Sequence, residues 1–301
     1  MKTAILFPGQ GSQSVGMLGE WVDTPARKLL VDAASDAIGV DLYTLIQSGP
    51  AEQLNRSEIT QPAIVLTSAI IWSHMQAYFS EIAAMAGHSL GEYSALVAAG
   101  ALDVVSAVKL VHQRGLAMQA AVPEGTGAMA AILGLSAAQV IAACEQVCTQ
   151  TAWVKPANFN GLDQIVISGH TAGVQSAMEA CKALGAKRTI LLPVSVPAHS
   201  ALMQPAQVAF GPALAAQHFD TPKYTIIHNV ASTDISTSLL AQLVEPVPFV
   251  QMVQQMVVSG VTRFVECGPG KVLTGLVRRI APEVSVCSIN SPSELKEFVI
   301  L

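Results

Sequence analysis

Gly87-His88-Ser89-Leu90-Gly91 follows the short apolar segment Ile82–Gly87 and precedes a helix-like segment, Gly91–Ala99. A serine held between glycines on a strand-to-helix turn has its hydroxyl pushed out above the sheet edge. The helix start then aims free N–H groups at the same spot. Together these make a nucleophile beside a place for an oxyanion. The plainer alternative is a glycine-rich turn with an incidental serine. A serine hydroxyl reacts only when a base takes its proton, and that base is usually histidine. The chain has seven histidines. His88 is adjacent in sequence, and neighbours on a turn usually point apart. His74, His112 and His170 fall on or beside predicted helices and suit packing or surface positions. His218 sits among polar loop residues. His228 ends a strand beside Asn229 and suits a structural role. His199 lies in the proline-constrained loop Pro193-Val194-Ser195-Val196-Pro197-Ala198-His199-Ser200, and loops carry function. A loop histidine is by itself more often structural, so spacing alone leaves the base of Ser89 open.

The elements that must hold these residues alternate between strand-like and helix-like, which predicts an α/β fold with a largely parallel sheet. Thr3–Phe7 reads as a first strand, followed by the loop Pro8–Gln13. Pro62–Phe79 and Val104–Ala120 read as helices, and Ile82–Gly87 as a buried strand. From Gly125 to Val194 the pattern changes. Ala128–Leu133 reads as a strand, and Ser136 caps a helix to about Val147. Trp153–Phe159 and Gln164–Ser168 read as strands joined by a turn containing Asn160-Gly161. Ala172–Leu184 is a helix ended by Gly185, and Lys187–Pro193 a last strand. That β-α-β-β-α-β order is the ferredoxin-like arrangement. The expected architecture is therefore a large α/β domain, residues 1–124 and 195–301, with a small ferredoxin-like domain, 125–194, inserted in it. Thr225–Val230 and Arg263–Glu266 complete the predicted strands. Gly268-Pro269-Gly270-Lys271 resembles part of a phosphate loop but has Val265 where the first glycine is required, so it reads as a strand-to-helix turn.

Composition narrows the function classes. The 301 residues are 51% hydrophobic and only 12% charged, with a formal net charge of −5. The longest uncharged stretch, Gly125–Cys144, is broken by Gly127, Gly134, Ser136 and Gln139. It predicts core elements rather than a membrane span. The apolar run ending at Phe7 is too short for a signal peptide. Five cysteines without a Cys-x-x-Cys pair argue against a disulfide framework and for a reducing cytoplasm. Cys144 and Cys148 have no accompanying metal-ligand cluster and read as buried thiols. No basic tract supports nucleic-acid binding.

Five ordered segments are similar to one family: Phe7-Pro8-Gly9-Gln10-Gly11-Ser12-Gln13, Gly87-His88-Ser89-Leu90-Gly91-Glu92-Tyr93, Gln113-Arg114-Gly115-Leu116-Ala117-Met118-Gln119, Val196-Pro197-Ala198-His199-Ser200 and Glu266-Cys267-Gly268-Pro269-Gly270-Lys271-Val272-Leu273. Together they resemble the malonyl-CoA:acyl-carrier-protein transacylases of fatty-acid synthesis, from about residue 3 to 280. The resemblance implies a large α/β-hydrolase-like domain with a parallel sheet plus the small ferredoxin-like one. It implies Ser89 as nucleophile and His199 as its base, with His199 oriented by the backbone carbonyl of Gln242. Backbone N–H groups of Gln10 and Leu90 would form the oxyanion hole. Arg114 would bind the free malonyl carboxylate, as a planar guanidinium does through two parallel hydrogen bonds. Gln61, Met118, Asn160 and Ala198 would line the pocket. Several members carry a bulkier or hydroxylated residue where this chain has Ala198.

The implied reaction is a ping-pong transfer. Malonyl-CoA acylates Ser89, and the phosphopantetheine thiol of an acyl carrier protein then takes the malonyl group. The CoA thioester is substrate, and no bound cofactor, metal, membrane or nucleic acid is implied. Alternatives are a transacylase of a polyketide or malonate decarboxylase system and, in another class, a serine esterase or thioesterase. The Phe7–Gln13 loop and Arg114 speak against the esterase. Ser89 and His199 together speak against a binding module with a dead site.

Overall fold

The computed structural model describes residues 2–194, 196–232 and 234–300. Ser195, in the loop before His199, lies outside the described residues. Among the described residues the strands, in chain order, are β1 Thr3–Phe7, β2 Ile82–Gly87, β3 Gly127–Leu133, β4 Val154–Gly161, β5 Gln164–His170, β6 Arg188–Leu191, β7 Ile226–Ile227, β8 Arg263–Cys267 and β9 Ser285–Ile289. By compactness the chain divides into two units. One comprises Met1–Gly115, Gln217–His228 and Val253–Leu301, the other Leu116–Ala216 and Asn229–Met252.

The first unit holds a parallel sheet in the order β7-β2-β1-β8-β9. A parallel sheet is covered on both faces, so its inner strands read as continuous apolar runs; β1 is buried at all five positions. Ile5 and Phe7 of β1, Met85 of β2 and Val265 and Cys267 of β8 share one core with Ile59, Leu66, Ile70 and Trp72 of the helix Ser57–Met75. That helix starts five residues before the expected Pro62 and stops short of Phe79. Pro62 has no N–H for the Glu58 carbonyl one turn back. His112 Nδ1–H donates to that carbonyl instead, at 2.7 Å, so the helix continues through the proline. The expected strand Thr225–Val230 shrinks to two paired residues at the sheet edge. β9, half-buried and with two serines in five residues, was not expected.

Gly268-Pro269-Gly270-Lys271 reads from sequence as a strand-to-helix turn, and the structure gives its means. The Glu266 carboxylate is fully buried and accepts from Leu273 N–H at 3.1 Å and Thr274 N–H at 2.7 Å, capping the helix Val272–Ile280. Burial pushes this carboxyl above the usual carboxylate range, although the capped amides oppose the shift. Glu266→Ala leaves two buried donors unsatisfied, at about 1–3 kcal/mol for each. The urea unfolding midpoint should fall clearly, and less in Glu266→Gln, which keeps one acceptor. An unchanged midpoint for the alanine variant would show that something else holds this helix start.

The second unit is built on an antiparallel sheet in the order β4-β5-β3-β6. The helices Ala137–Val147 and Thr171–Ala183 share a core with Ala130, Ile132, Val154, Ile165 and Ile167 of that sheet. Ser136 opens the first with a reciprocal cap: its Oγ accepts from Gln139 N–H, and Gln139 Oε1 accepts from Ser136 N–H. Met129, Ala131, Ala157 and Val166 form a separate cluster, joined by Val194 and Ala198. Asn160 and Gly161 belong to β4 rather than to the turn, which falls at Leu162-Asp163. Residues 116–124, 196–216 and 229–252 go with this sheet by compactness, so the unit runs wider than the segment 125–194 marked out by strand pattern.

Candidate active site

The C-terminal ends of neighbouring parallel strands are where α/β sheets gather ligand-binding loops. Here β1 ends in the Gln10 loop, β2 in the Ser89 turn and β8 in the Gly268 turn. Ser89 has a left-handed backbone, φ 50°, which costs a non-glycine residue energy and marks a turn held in place by its surroundings. Those surroundings are close backbones. His88 N–H donates to the Phe7 carbonyl at 3.0 Å, and Gly91 N–H to the His88 carbonyl at 2.9 Å. A Cβ on Gly91 would overlap the Phe7 carbonyl oxygen. The helix Gly91–Ala98 therefore starts two residues after the serine. Leu90 is its first flanking residue, and Gln10 anchors its own loop by donating from Nε2 to Ser57 Oγ at 3.1 Å.

Arg114 sits in the helix Val104–Ala120 and is almost fully buried. Gly115 lets that helix approach Ser57 and Glu58, since a Cβ there would press on the Glu58 backbone. The approach brings Arg114 to buried Gln61, whose Oε1 accepts from Nη1 at 2.9 Å. Its Nη2 lies 3.5 Å from Ser89 Oγ. The guanidinium carbon stands 5.7 Å above the Tyr93 ring. Burial pulls the Arg114 pKa below the usual arginine range, while Tyr93 and Glu92 oppose the shift. A buried cation beside a hydroxyl is a site for a substrate that carries an anion close to the atom being attacked.

His199 belongs to the second unit. Like Ser89 it has a left-handed backbone, φ 58°. Its ring Nδ1 lies 2.8 Å from the Gln242 carbonyl and 3.1 Å from the Glu245 carbonyl. Carbonyls only accept, so Nδ1 carries a proton, and in the neutral ring Nε2 keeps its lone pair. The carbonyls are fixed in turn by the edge of the sheet. Val247 N–H donates to Ala157, and Phe159 N–H to Val247. Gln242 was expected to orient His199; the second carbonyl, of Glu245, was not anticipated. His199 also lines a cavity of ≈ 480 Å³ with Trp153, Lys155, Phe159, Gln204 and Pro246. Its lining does not include the expected pocket residues Gln61, Met118, Asn160 and Ala198.

Of the candidates, Ser89, Leu90, Gln10, Gln61 and Arg114 lie in the first unit, and His199, Gln242, Met118, Asn160 and Ala198 in the second. His74 bonds the Trp21 carbonyl, and His170 Nδ1 accepts from Trp153 N–H. Sequence reading missed the partner of His228: Nδ1 donates to Glu92 Oε1 at 2.6 Å. The signal was a lone carboxylate at the head of an otherwise apolar helix.

A family model described as the acyl transferase domain matches residues 5–291. The chain belongs to the acyl transferase family. It is 47% identical over 300 residues to the malonyl CoA-acyl carrier protein transacylase of Salmonella typhimurium, covering 97% of each chain. To the protein of that name from Bacillus subtilis it is 42% identical, covering 98% of this chain and 95% of the relative. Among solved structures, the acyl carrier protein S-malonyltransferase of Vibrio cholerae superposes with a TM-score of 0.94 at 45% identity, covering 99% of this chain and 100% of the other. A malonyl-transacylase solved in complex with a type II PKS acyl-carrier protein gives 0.95 at 42% identity, covering 100% and 99%. Among the described residues no His, Cys, Asp and Glu cluster could hold a metal ion, and no helix is long and apolar enough to cross a membrane.

Proposed function

We propose that this acyl transferase moves the malonyl group from malonyl-CoA to the phosphopantetheine thiol of an acyl carrier protein, supplying fatty-acid synthesis, through an acyl-enzyme on Ser89. The observation that carries the substrate class is Arg114, a buried guanidinium with one nitrogen held by Gln61 and another beside Ser89 Oγ. An acyl group ending in a carboxylate suits a buried guanidinium beside the nucleophile. Relatives named for malonyl transfer at 42–47% identity support the same choice.

In this reading His199 Nε2 takes the Ser89 proton as Oγ attacks the thioester carbonyl. The backbone N–H groups of Gln10 and Leu90 hold the oxyanion. The tetrahedral intermediate collapses with loss of the CoA thiolate, which receives the proton from His199. The carrier's thiol repeats the sequence in reverse: His199 takes its proton, the thiolate attacks the Ser89 ester, and Ser89 is released reprotonated. Gln61, Met118, Asn160 and Ala198 line the acyl site. No resident cofactor enters any step. The strand order β4-β5-β3-β6 with two helices supports a ferredoxin-like small domain, 125–194, within a hydrolase-like large one. Five free cysteines support a cytoplasmic setting.

The test is the covalent intermediate. Malonyl-CoA without carrier should leave one malonyl group on Ser89, read by intact mass and peptide mapping, and none on Ser89→Ala. An adduct on a cysteine instead, or no adduct on the wild-type chain, rules the mechanism out.

A further inference from the structure

The loop that follows β1 packs on the nucleophile turn. A Cβ on Gly9 would stand 2.5 Å from the His88 carbonyl oxygen, so this backbone lies directly on the residue before Ser89. Ser12 closes the loop from within. Its backbone N–H donates to the Gly9 carbonyl at 3.3 Å, and its Oγ–H donates to the same carbonyl at 2.8 Å. Ser12 is buried, and 2.8 Å is the usual length for a well-made hydroxyl bond. The Gln10 side chain is anchored separately, on Ser57 Oγ. Beyond it, Gln13 Oε1 accepts from Gly11 N–H at 2.7 Å, and Gln13 Nε2 donates to Asn55 Oδ1 at 2.9 Å.

The Gly9 carbonyl shares its peptide plane with Gln10 N–H. In a trans peptide those two bonds point in opposite directions. Whatever fixes the carbonyl therefore fixes the N–H. We propose that Ser12 is a positioning residue of the oxyanion hole, its hydroxyl setting the Gly9–Gln10 peptide plane so that Gln10 N–H is held ready for the oxyanion. Ser12 acts through that peptide and not on the reacting atoms. The longer bond from its own N–H closes the turn, and the hydroxyl keeps the plane from rocking. Without the hydroxyl the Gln10 donor is in line only part of the time. An oxyanion forms only while the thioester carbonyl is attacked, so the loss falls on the rate and not on substrate binding. The inference rests on Gln10 N–H as an oxyanion donor in the mechanism proposed above.

Single-turnover acylation of Ser89 in the whole chain, by malonyl-CoA and by acetyl-CoA, tests it. In Ser12→Ala the maximal rate should fall about tenfold or more with both esters alike, short of the 10²–10³-fold lost when an oxyanion donor is removed outright. The half-saturating ester concentration should stay within about twofold of wild type, as for an interaction made only in the transition state. Ser12→Thr keeps the hydroxyl and should return to within about threefold of the wild-type rate. A folded alanine variant at the wild-type rate overturns the proposal. So does a loss confined to one ester, a loss that appears only as weaker binding, or a threonine variant as slow as alanine. Should Ser12→Ala not fold, Ser12→Cys replaces it, filling the site with a weak S–H donor. It should be slow with both esters, and a cysteine variant as fast as wild type overturns the proposal. A wild-type chain that leaves no adduct on Ser89 overturns the mechanism itself, and this inference with it.

Discussion

His199→Ala should acylate from malonyl-CoA about 10²–10⁴-fold more slowly than wild type, the usual share of a general base. The loss should be equal for acetyl-CoA, because proton removal from Ser89 does not depend on the acyl group. The family resemblance makes His199 the choice among the histidines, and its ring geometry suits a base. Two backbone carbonyls hold its Nδ1–H, which leaves Nε2 unprotonated and the ring fixed. The backbone at 199 is left-handed, so alanine there is strained and a lost fold could imitate a lost base. Asparagine tolerates that conformation better. His199→Asn should therefore keep the unfolding midpoint and remain as slow as the alanine variant. A folded asparagine variant with near wild-type rate would remove His199 from the chemistry.

Arg114→Ala should erode the selectivity for malonyl without abolishing the reaction. A charge-assisted hydrogen bond contributes about 1.5–3 kcal/mol, or roughly 10–150-fold. The ratio of kcat/KM for malonyl-CoA over acetyl-CoA should fall by at least that much, with acetyl transfer spared or raised. A site built to bond a polar group discriminates strongly against an acyl group lacking it, because the buried donors are then left unpaired. Arg114→Lys should recover only part of the ratio, since an ammonium keeps the charge without the planar fork. A purely structural arginine would instead lower both rates together. The structure makes that outcome the less favoured one, because Nη2 already lies at 3.5 Å from Ser89 Oγ.

Local stereochemistry was legible in the residues themselves. The Ser89 turn could be read because close backbone approach at 87 and 91 admits only glycine, a requirement that acts within five residues. Thr3–Phe7, Ile82–Gly87 and Val104–Ala120 were found at their observed bounds because apolar period and length act on the same scale. The cap at Ser136 is a contact across three residues. By contrast, the two-residue β7 and the half-polar β9 have too little apolar pattern to register. They are strands only because a sheet edge stands beside them. The span from Ser57 was hidden by Pro62, whose missing hydrogen bond is made good by a histidine 50 residues further on.

The site divides in the same way. Candidate reactive residues, and the family they resemble, could be read from five ordered segments. What each of them faces could not. A guanidinium in a helix with few other charges reads as an exposed salt bridge; only packing against Ser57 and Glu58 buries Arg114 and aims it at Ser89. The second carbonyl on His199 comes from a segment pinned to the edge of β4. Glu92 and His228 are 136 residues apart. Hydrogen bonds, burial and charge pairing are short-ranged in space and indifferent to distance along the chain. Sequence by itself therefore determines the backbone turns and the inventory of reactive groups, while the fold decides which of those groups are dry, which are paired and in which direction each one points.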